Sequence, residues 1–309
     1  MRVCVTGGAG FIGSAACRAL LARPEVSSVV VLDDLSTGSR SNLDGLGAAV
    51  VEASVADRDA VAAACSGVDA IVHLAAQVSV PASIADPVTT IDVNVNGTLN
   101  VLEAARTVGA YTVVASSAAV YGPSPHLPTN EDAAPAPAHP YGASKLATEA
   151  LALAHARSYG CGVLALRFFN VFGPGQAPGH GYAAVVPAFV DAALAGRPLP
   201  VFGDGEQTRD FTDVELVASL LADGVSRRVS HDGPVNVASG DRHSLLELIA
   251  VLEAVLGRPL ERKHLPPRPG DARHSQANIS RLRHLFPDVR PRPLDEAVRA
   301  TVEWFMSRQ

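Results

Sequence analysis

Apolar and polar positions along this chain follow two periods that take turns. Arg2–Thr6 is a short apolar run, and the spacing from Phe11 to Leu21 is helical. A second apolar run, Ser28–Leu32, stops at Asp33. Ala48–Ala53 reads as a strand, Asp57–Cys65 as a helix and Asp69–Leu74 as a strand. One long helical pattern is predicted from about Val88 to Val108, then a strand at Ala110–Ser116. Gly122–His139, rich in Pro and Ala, reads as an exposed loop. It leads into a helix with Pro140 in its first turn, and Gly162–Phe168 is a further strand. Such alternation predicts an α/β fold with a doubly wound parallel sheet.

Beyond Phe172 the texture changes. Gly173–Gln176 begins a loop, Tyr182–Ala195 is helical, Leu199–Phe202 is a short strand, and Gly203–Glu206 is a turn followed by Thr208–Thr212. Regular structure resumes at Asp213–Arg227, Pro234–Ala238, Ser244–Leu256 and Asp295–Met306, with a proline-rich patch at Leu265–Gly270. These pieces predict a smaller α/β lobe over the C-terminal edge of the sheet, where open sheets bind ligands. The expected division is a dinucleotide-binding domain at 1–170 and a substrate lobe, mainly 171–309. The sheet is left open to completion by segments after 205.

Composition narrows the class. A chain of 309 residues, 48% hydrophobic and 18% charged, can bury a large core. The net charge of −6 argues against nucleic acid and anionic membranes as partners. Cys4, Cys17, Cys65 and Cys161 lack ligand spacing and read as small, buried, reduced residues. The histidines form no HxxxH cluster, so no metal is expected. No apolar run reaches about 18 residues, so no membrane span is expected. Arg2 already opens a strand, so no leader is expected either, and the cytoplasm is the expected location.

Two constellations carry candidate chemistry. Gly7, Gly10 and Gly13 stand between the first strand and helix, where a turn can hold a pyrophosphate at a helix N-terminus. Asp33 lies at the distance where an acid binds the adenosine ribose, and it repels a 2′-phosphate, which favours NAD over NADP. The second constellation is Tyr141 and Lys145, four apart on one helix face. A cation beside the phenol and a helix N-terminus are expected to lower the tyrosine pKa, giving an acid/base for a hydroxyl.

With these residues assembled, the chain resembles the extended short-chain dehydrogenase/reductases. More narrowly, it is similar to the NAD-dependent nucleotide-sugar epimerase/dehydratase family, with UDP-hexose 4-epimerases closest. The match rests on Thr6–Ser14, Leu32–Gly38, His73–Gln77, Ser116–Gly122, Tyr141–Lys145, Leu166–Pro174, Phe202–Asp210 and Arg268–Asp271. The resemblance implies a Rossmann fold and assigns roles to residues. Gly7, Gly10, Phe11, Ile12 and Gly13 would hold the pyrophosphate, and Asp33, Thr37 and Gly38 the adenosine ribose. Ser54 and Val55 would lie near adenine, although many relatives carry an Asp where Ser54 stands. Asp57 is expected to cap the next helix instead. Leu74, Ala75, Ala76 and Gln77 would line the cofactor, and Phe169 would pack near the nicotinamide. Ser117, Tyr141 and Lys145 would form the catalytic set, with Tyr141 and Lys145 also binding the nicotinamide ribose side of the cofactor. Asn170, Val185, Phe202, Arg209, Arg268 and Asp271 would bind the nucleotide diphosphate sugar. Ser275 falls where a bulky residue restricts the sugar pocket in some relatives, which hints at room for N-acetyl or uronic sugars. A homodimer through helices near 88–108 and 141–159 is also implied.

Ala118 and Ala119 separate the candidate reactions. Dehydratases and decarboxylases that the chain resembles carry acids there, and alanine transfers no proton. The expected activity is therefore NAD-dependent inversion at C4 of a UDP-sugar, through a transient 4-keto intermediate. The alternatives are a nucleotide 4-keto-sugar reductase using NAD(P) or another nucleotide-sugar-modifying enzyme, and then a non-catalytic NAD-binding protein.

Overall fold

The computed structural model describes residues 1–123, 126–177, 184–267 and 272–308. The glycine turn joins β1 (Arg2–Thr6) to α1 (Phe11–Leu21). β2 (Ser28–Asp33), β3 (Ala49–Glu52), α2 (Arg58–Ala64) and β4 (Ala70–His73) follow. Asp57 caps α2, its carboxylate accepting from the Asp59 and Ala60 amides.

The predicted helix from Val88 to Val108 is not one regular helix. It consists of α4 (Pro87–Ile91), a π-helical turn at Asp92–Asn96 and α5 (Gly97–Val108), and α3 (Val80–Ala85) precedes it. The cause is Asn94, which is buried. Its carbonyl accepts from Thr98 Oγ1 at 2.5 Å and Thr148 Oγ1 at 2.8 Å, while its side-chain amide is bonded to Gln77 and Ser144. Those tertiary bonds compete with the helical ladder, and one wide turn absorbs the difference. No periodicity in the sequence records this.

β5 (Tyr111–Ser117) ends in a 3₁₀ turn at Ala118–Tyr121. After the loop come α6 (Pro140–Tyr159) and β6 (Val163–Phe168). The C-terminal part contains β7 (Val171–Phe172), α7 (Val185–Leu194), β8 (Leu199–Phe202), β9 (Thr208–Arg209) and β10 (Thr212–Asp213). It continues through α8 (Val214–Arg227), β11 (Val235–Val237), β12 (His243–Ser244) and α9 (Leu245–Leu256). β13 (Arg262–Leu265), α10 (Ser280–Leu285) and α11 (Leu294–Met306) complete it.

The central sheet is parallel throughout, in the order β11-β6-β5-β4-β1-β2-β3. Helices on both faces explain why its strands read as continuous apolar runs rather than alternating ones. Val5, Val31 and Val72 sit in register across β1, β2 and β4 and are fully buried. β11 comes from the C-terminal part and extends the sheet beside β6, while α8 packs along α1. The lobe has its own core, built from Phe172, Phe189, Leu248, Ile249, Val298 and Phe305. The predicted run Thr208–Thr212 divides there: β9 pairs with β12, and β10 with β7. Cys4, Cys17 and Cys65 are buried thiols, but Cys161 is only half-buried, because it lies in the turn after α6. Among the described residues no helix is long and apolar enough to cross a membrane.

Candidate active site

The C-terminal edge of the sheet collects the cofactor candidates. Gly7 takes φ +70°, and a Cβ on Gly13 would lie 2.0 Å from the Gly7 carbonyl oxygen. Only glycine lets α1 start this close to the turn. α1 begins at Gly10 with no side-chain cap, so the amides of its first turn, at Phe11, Ile12 and Gly13, point at whatever lies beyond. Asp33, at the end of β2, is buried; Oδ2 accepts from the Ala9 amide at 2.8 Å and Oδ1 from Leu35 at 2.9 Å. The acid thus shapes the glycine turn and keeps lone pairs for a ribose hydroxyl. Gly38 presses its backbone on Ala9, and Thr37 beside it is exposed. Asn42, which the sequence did not single out, donates to the Ala9 carbonyl at 2.8 Å.

The other cofactor candidates lie on neighbouring strand ends. Ser54 and Val55 follow β3; Ser54 Oγ accepts from Ala56, and Val55 is buried under Gly97. Leu74, Ala75, Ala76 and Gln77 leave β4 half-buried, with Ala75 donating to Thr6 Oγ1 and Gln77 to Asn94 Oδ1. Phe169 follows β6 and packs on the Tyr121 ring at 6.0 Å. An uncapped helix start, a turn that admits only glycine and a buried acid at the end of β2 fit NAD.

Tyr141 and Lys145 lie in the first turns of α6, whose N1 residue is Pro140. Ser117 ends β5, and its hydroxyl lies near the Tyr141 phenol and accepts from the Ala119 amide at 3.1 Å. Lys145 is buried, with Nζ donating to the Ala115 carbonyl at 3.0 Å, and burial lowers its pKa to about 8. The expected lowering of the Tyr141 pKa is overturned. Burial raises it, and the nearby Ser117 hydroxyl opposes that only in part. The lysine ammonium is drawn to Ala115 and does not lower it. Beneath the pair, His73 bridges Thr6 Oγ1 at 2.7 Å and Thr98 Oγ1 at 3.0 Å. Burial, then the Lys145 charge, push its pKa down to about 3, so it stays neutral.

The lobe supplies the substrate candidates. Asn170, at φ +33°, donates from Nδ2 to the Asp210 carbonyl at 3.1 Å. Arg209 NH1 donates to the Thr208 carbonyl at 2.9 Å, and Ser275 N to the same carbonyl at 3.0 Å, which brings Arg209 and Ser275 together. Asp210, not foreseen, is fully buried and accepts from Ser239, Gly240 and Ala277, tying three segments under that site. Phe202 ends β8, and its carbonyl accepts from Gln207 Nε2 at 2.5 Å; Val185 opens α7 and packs partly on the lobe core. Arg268 and Asp271 lie outside the described residues, as does Tyr182 at the start of the predicted helix.

The model of the NAD dependent epimerase/dehydratase family matches residues 3–238. The chain belongs to that family. Its family cofactor, NAD, is the one the glycine turn and Asp33 fit. Across its full length the chain is 38% identical to the UDP-glucose 4-epimerase of Mycolicibacterium smegmatis, covering 99% of that protein. Among solved structures it is similar to the UDP-glucose 4-epimerase of Thermus thermophilus in complex with NAD. The TM-score is 0.89 at 38% identity, with 100% of both chains covered. It is also similar to the UDP-N-acetylglucosamine 4-epimerase of Methanobrevibacter ruminantium in complex with UDP-N-acetylmuramic acid. There the TM-score is 0.92 at 35% identity, covering 100% of this chain and 99% of that one.

Proposed function

We propose that this chain is an NAD-dependent UDP-sugar 4-epimerase, acting first on UDP-glucose and UDP-galactose. The observation that carries this reading is that Ser117 and Tyr141 come together at the sheet edge, with Ala118 and Ala119 next to them and no acid in their place. NAD held at the glycine turn and Asp33 would supply a reversible hydride acceptor for C4, so that the sugar could pass through a 4-keto state with no net redox change. Tyr141 Oη takes the C4 hydroxyl proton, directly or through Ser117 Oγ, and gives it back after the sugar has turned its other face. The pKa raised by burial means that the phenol must be brought down in the loaded site. Lys145, one turn further along the same helix face, is the group placed to do this once it leaves Ala115 for the cofactor ribose.

Arg209, with Asn170, Phe202 and Val185, would grip the nucleotide diphosphate and leave the hexose free to turn; Arg268 and Asp271 are assigned the same duty. Ser275 is small enough to admit N-acetylhexosamines and uronic acids. The division of labour is a cofactor domain at 1–170, completed by later segments, and a lobe from 171 onward for the substrate. The exposed apolar residues Ile84, Val88, Ile91 and Leu99 of α3, α4 and α5, with Val78 just before them, support a homodimer.

NMR of reaction mixtures with UDP-glucose, UDP-galactose, UDP-N-acetylglucosamine and UDP-glucuronate tests the reading. At least one should equilibrate with its C4 epimer without added cofactor. Tyr141→Phe should retain NAD and lose about 10²-fold or more of the rate. Net oxidation or reduction of any of these substrates, or near-normal turnover by Tyr141→Phe, would sink the proposal.

A further inference from the structure

α6 carries Tyr141, and each amide of its first turn has a defined fate. Pro140 has no amide hydrogen to place. The Tyr141 amide donates to Ser83 Oγ at 3.1 Å, Gly142 to His139 Nδ1 at 3.0 Å, and Ala143 to the His139 carbonyl at 3.1 Å. His139 is therefore the N-cap, with extended backbone at φ −153° and ψ 163°. Histidine is outside the usual Ser, Thr, Asp and Asn set for that position. It can cap in one form only: Nδ1 must offer a lone pair, which puts the proton of a neutral ring on Nε2. The same ring lies nearly parallel to the Tyr141 ring, with centroids 6.0 Å apart and 13° between planes.

We propose that His139 is a positioning residue for Tyr141: its neutral imidazole, bonded to the Gly142 amide and stacked on the phenol, sets where the phenol stands. The proposal rests on the reading of Tyr141 as the proton-transfer group. Protonation would turn Nδ1 into a donor facing another donor. It would also place a cation at the positive end of the helix dipole. Burial further holds the imidazole below its ordinary pKa. The cap is thus intact near neutrality and fails in acid, and turnover fails with it.

Among the described residues, the ionising groups carried by the elements packed against α6 have partners of their own. α3 and α4 carry none within their spans, and the Asp86 carboxylate between them caps Thr89. Asp92 of the π turn accepts from Asn96, and Glu103 of α5 pairs with Arg106. β5 brings Tyr111 and the 3₁₀ turn Tyr121, each hydrogen-bonded elsewhere. Arg167 of β6 pairs with Glu149, Glu131 of the preceding loop accepts from Asn236, and Asp132 pairs with Arg281. On α6 itself, Lys145 turns to Ala115, and His155, Arg157 and Tyr159 lie at the far end.

The test measures kcat and KM for UDP-glucose against pH on the NAD-loaded protein. His139→Ala should lower kcat roughly ten-fold at neutral pH with KM little changed. His139→Asn, whose amide oxygen caps without titrating, should restore kcat and keep it at acidic pH where the native protein has lost it. Nitrogen-15 NMR should find the neutral Nε2–H tautomer at His139. Native kcat in His139→Ala, a native acid limb in His139→Asn, or an Nδ1–H tautomer each overturns the proposal. Should His139→Ala not fold, the Asn variant and the tautomer decide it alone. Tyr141→Phe keeps the two readings apart. If it is inactive while the His139 variants behave as native, only the positioning role falls. If it is active, both readings fall.

Discussion

Lys145 is held where a charge is unwelcome. Its ammonium is buried against the Ala115 carbonyl, and its pKa falls from 10.5 to about 8. Below pH 8 both folded and unfolded chains carry the proton, and the full penalty of burying it stands. Between 8 and 10.5 the folded chain gives up the proton first, so stability rises with pH across that window. Without bound cofactor, Lys145→Met should therefore be more stable than the native chain, by on the order of 3 kcal/mol at pH 7. The gap should narrow towards pH 10.5. Urea unfolding at the two pH values checks this, and a constant gap would mean that the lysine is not the cause. The variant should also lose epimerase activity, because stability and function want different residues here.

At the scale of elements, one buried ion pair joins α6 to the sheet. Arg167 of β6 donates to both carboxylate oxygens of Glu149 on α6, at 2.8 and 2.7 Å, and NH1 reaches the Glu131 carbonyl at 3.1 Å. Its guanidinium also lies over the Tyr121 ring at 4.6 Å, and that ring packs on Phe169. Glu149→Ala leaves a buried cation without its partner and should cost about 3–5 kcal/mol. Replacing both residues with Leu and Met should recover most of that loss. Denaturant midpoints of the three variants test this, and a double variant as unstable as the single one would show that the charges themselves are needed. None of this network was legible in the sequence, although both residues were plain to see. What was legible is local: the glycine turn between β1 and α1, Asp33 at the end of β2, and Tyr141 and Lys145 on one helical face all depend on neighbours within a few residues. Asn94, Asn42, His73 and His139 act through partners far along the chain or in an unusual capping role, and composition gives no sign of either. The Tyr141 pKa went astray for the same reason, since burial is a property of the fold and spacing reports only the neighbouring lysine.

For the whole molecule, the proposed dimer can be tested at its exposed apolar residues. Val88 is 77% exposed and Ile84 63% exposed on adjoining short helices, and Ile91 of α4 and Leu99 of α5 are exposed as well. Covering such a patch with its own copy matches a closed two-fold contact. Sedimentation should find a dimer at micromolar concentration, and Val88→Asp should shift it to monomer with the fold intact. A monomeric native chain would refute the contact.

The order of the strands also governs how the chain is made. The sheet edge at β6 is met by β11, and α1 by α8, both from residues beyond 213. On the ribosome the glycine turn and Asp33 emerge long before their sheet is whole, and β6 stays an unpaired edge in the meantime. At translation speeds of about 5–20 residues per second that interval lasts several seconds. The nascent chain is most prone to faulty strand pairing during those seconds, and the remedy arrives with β11.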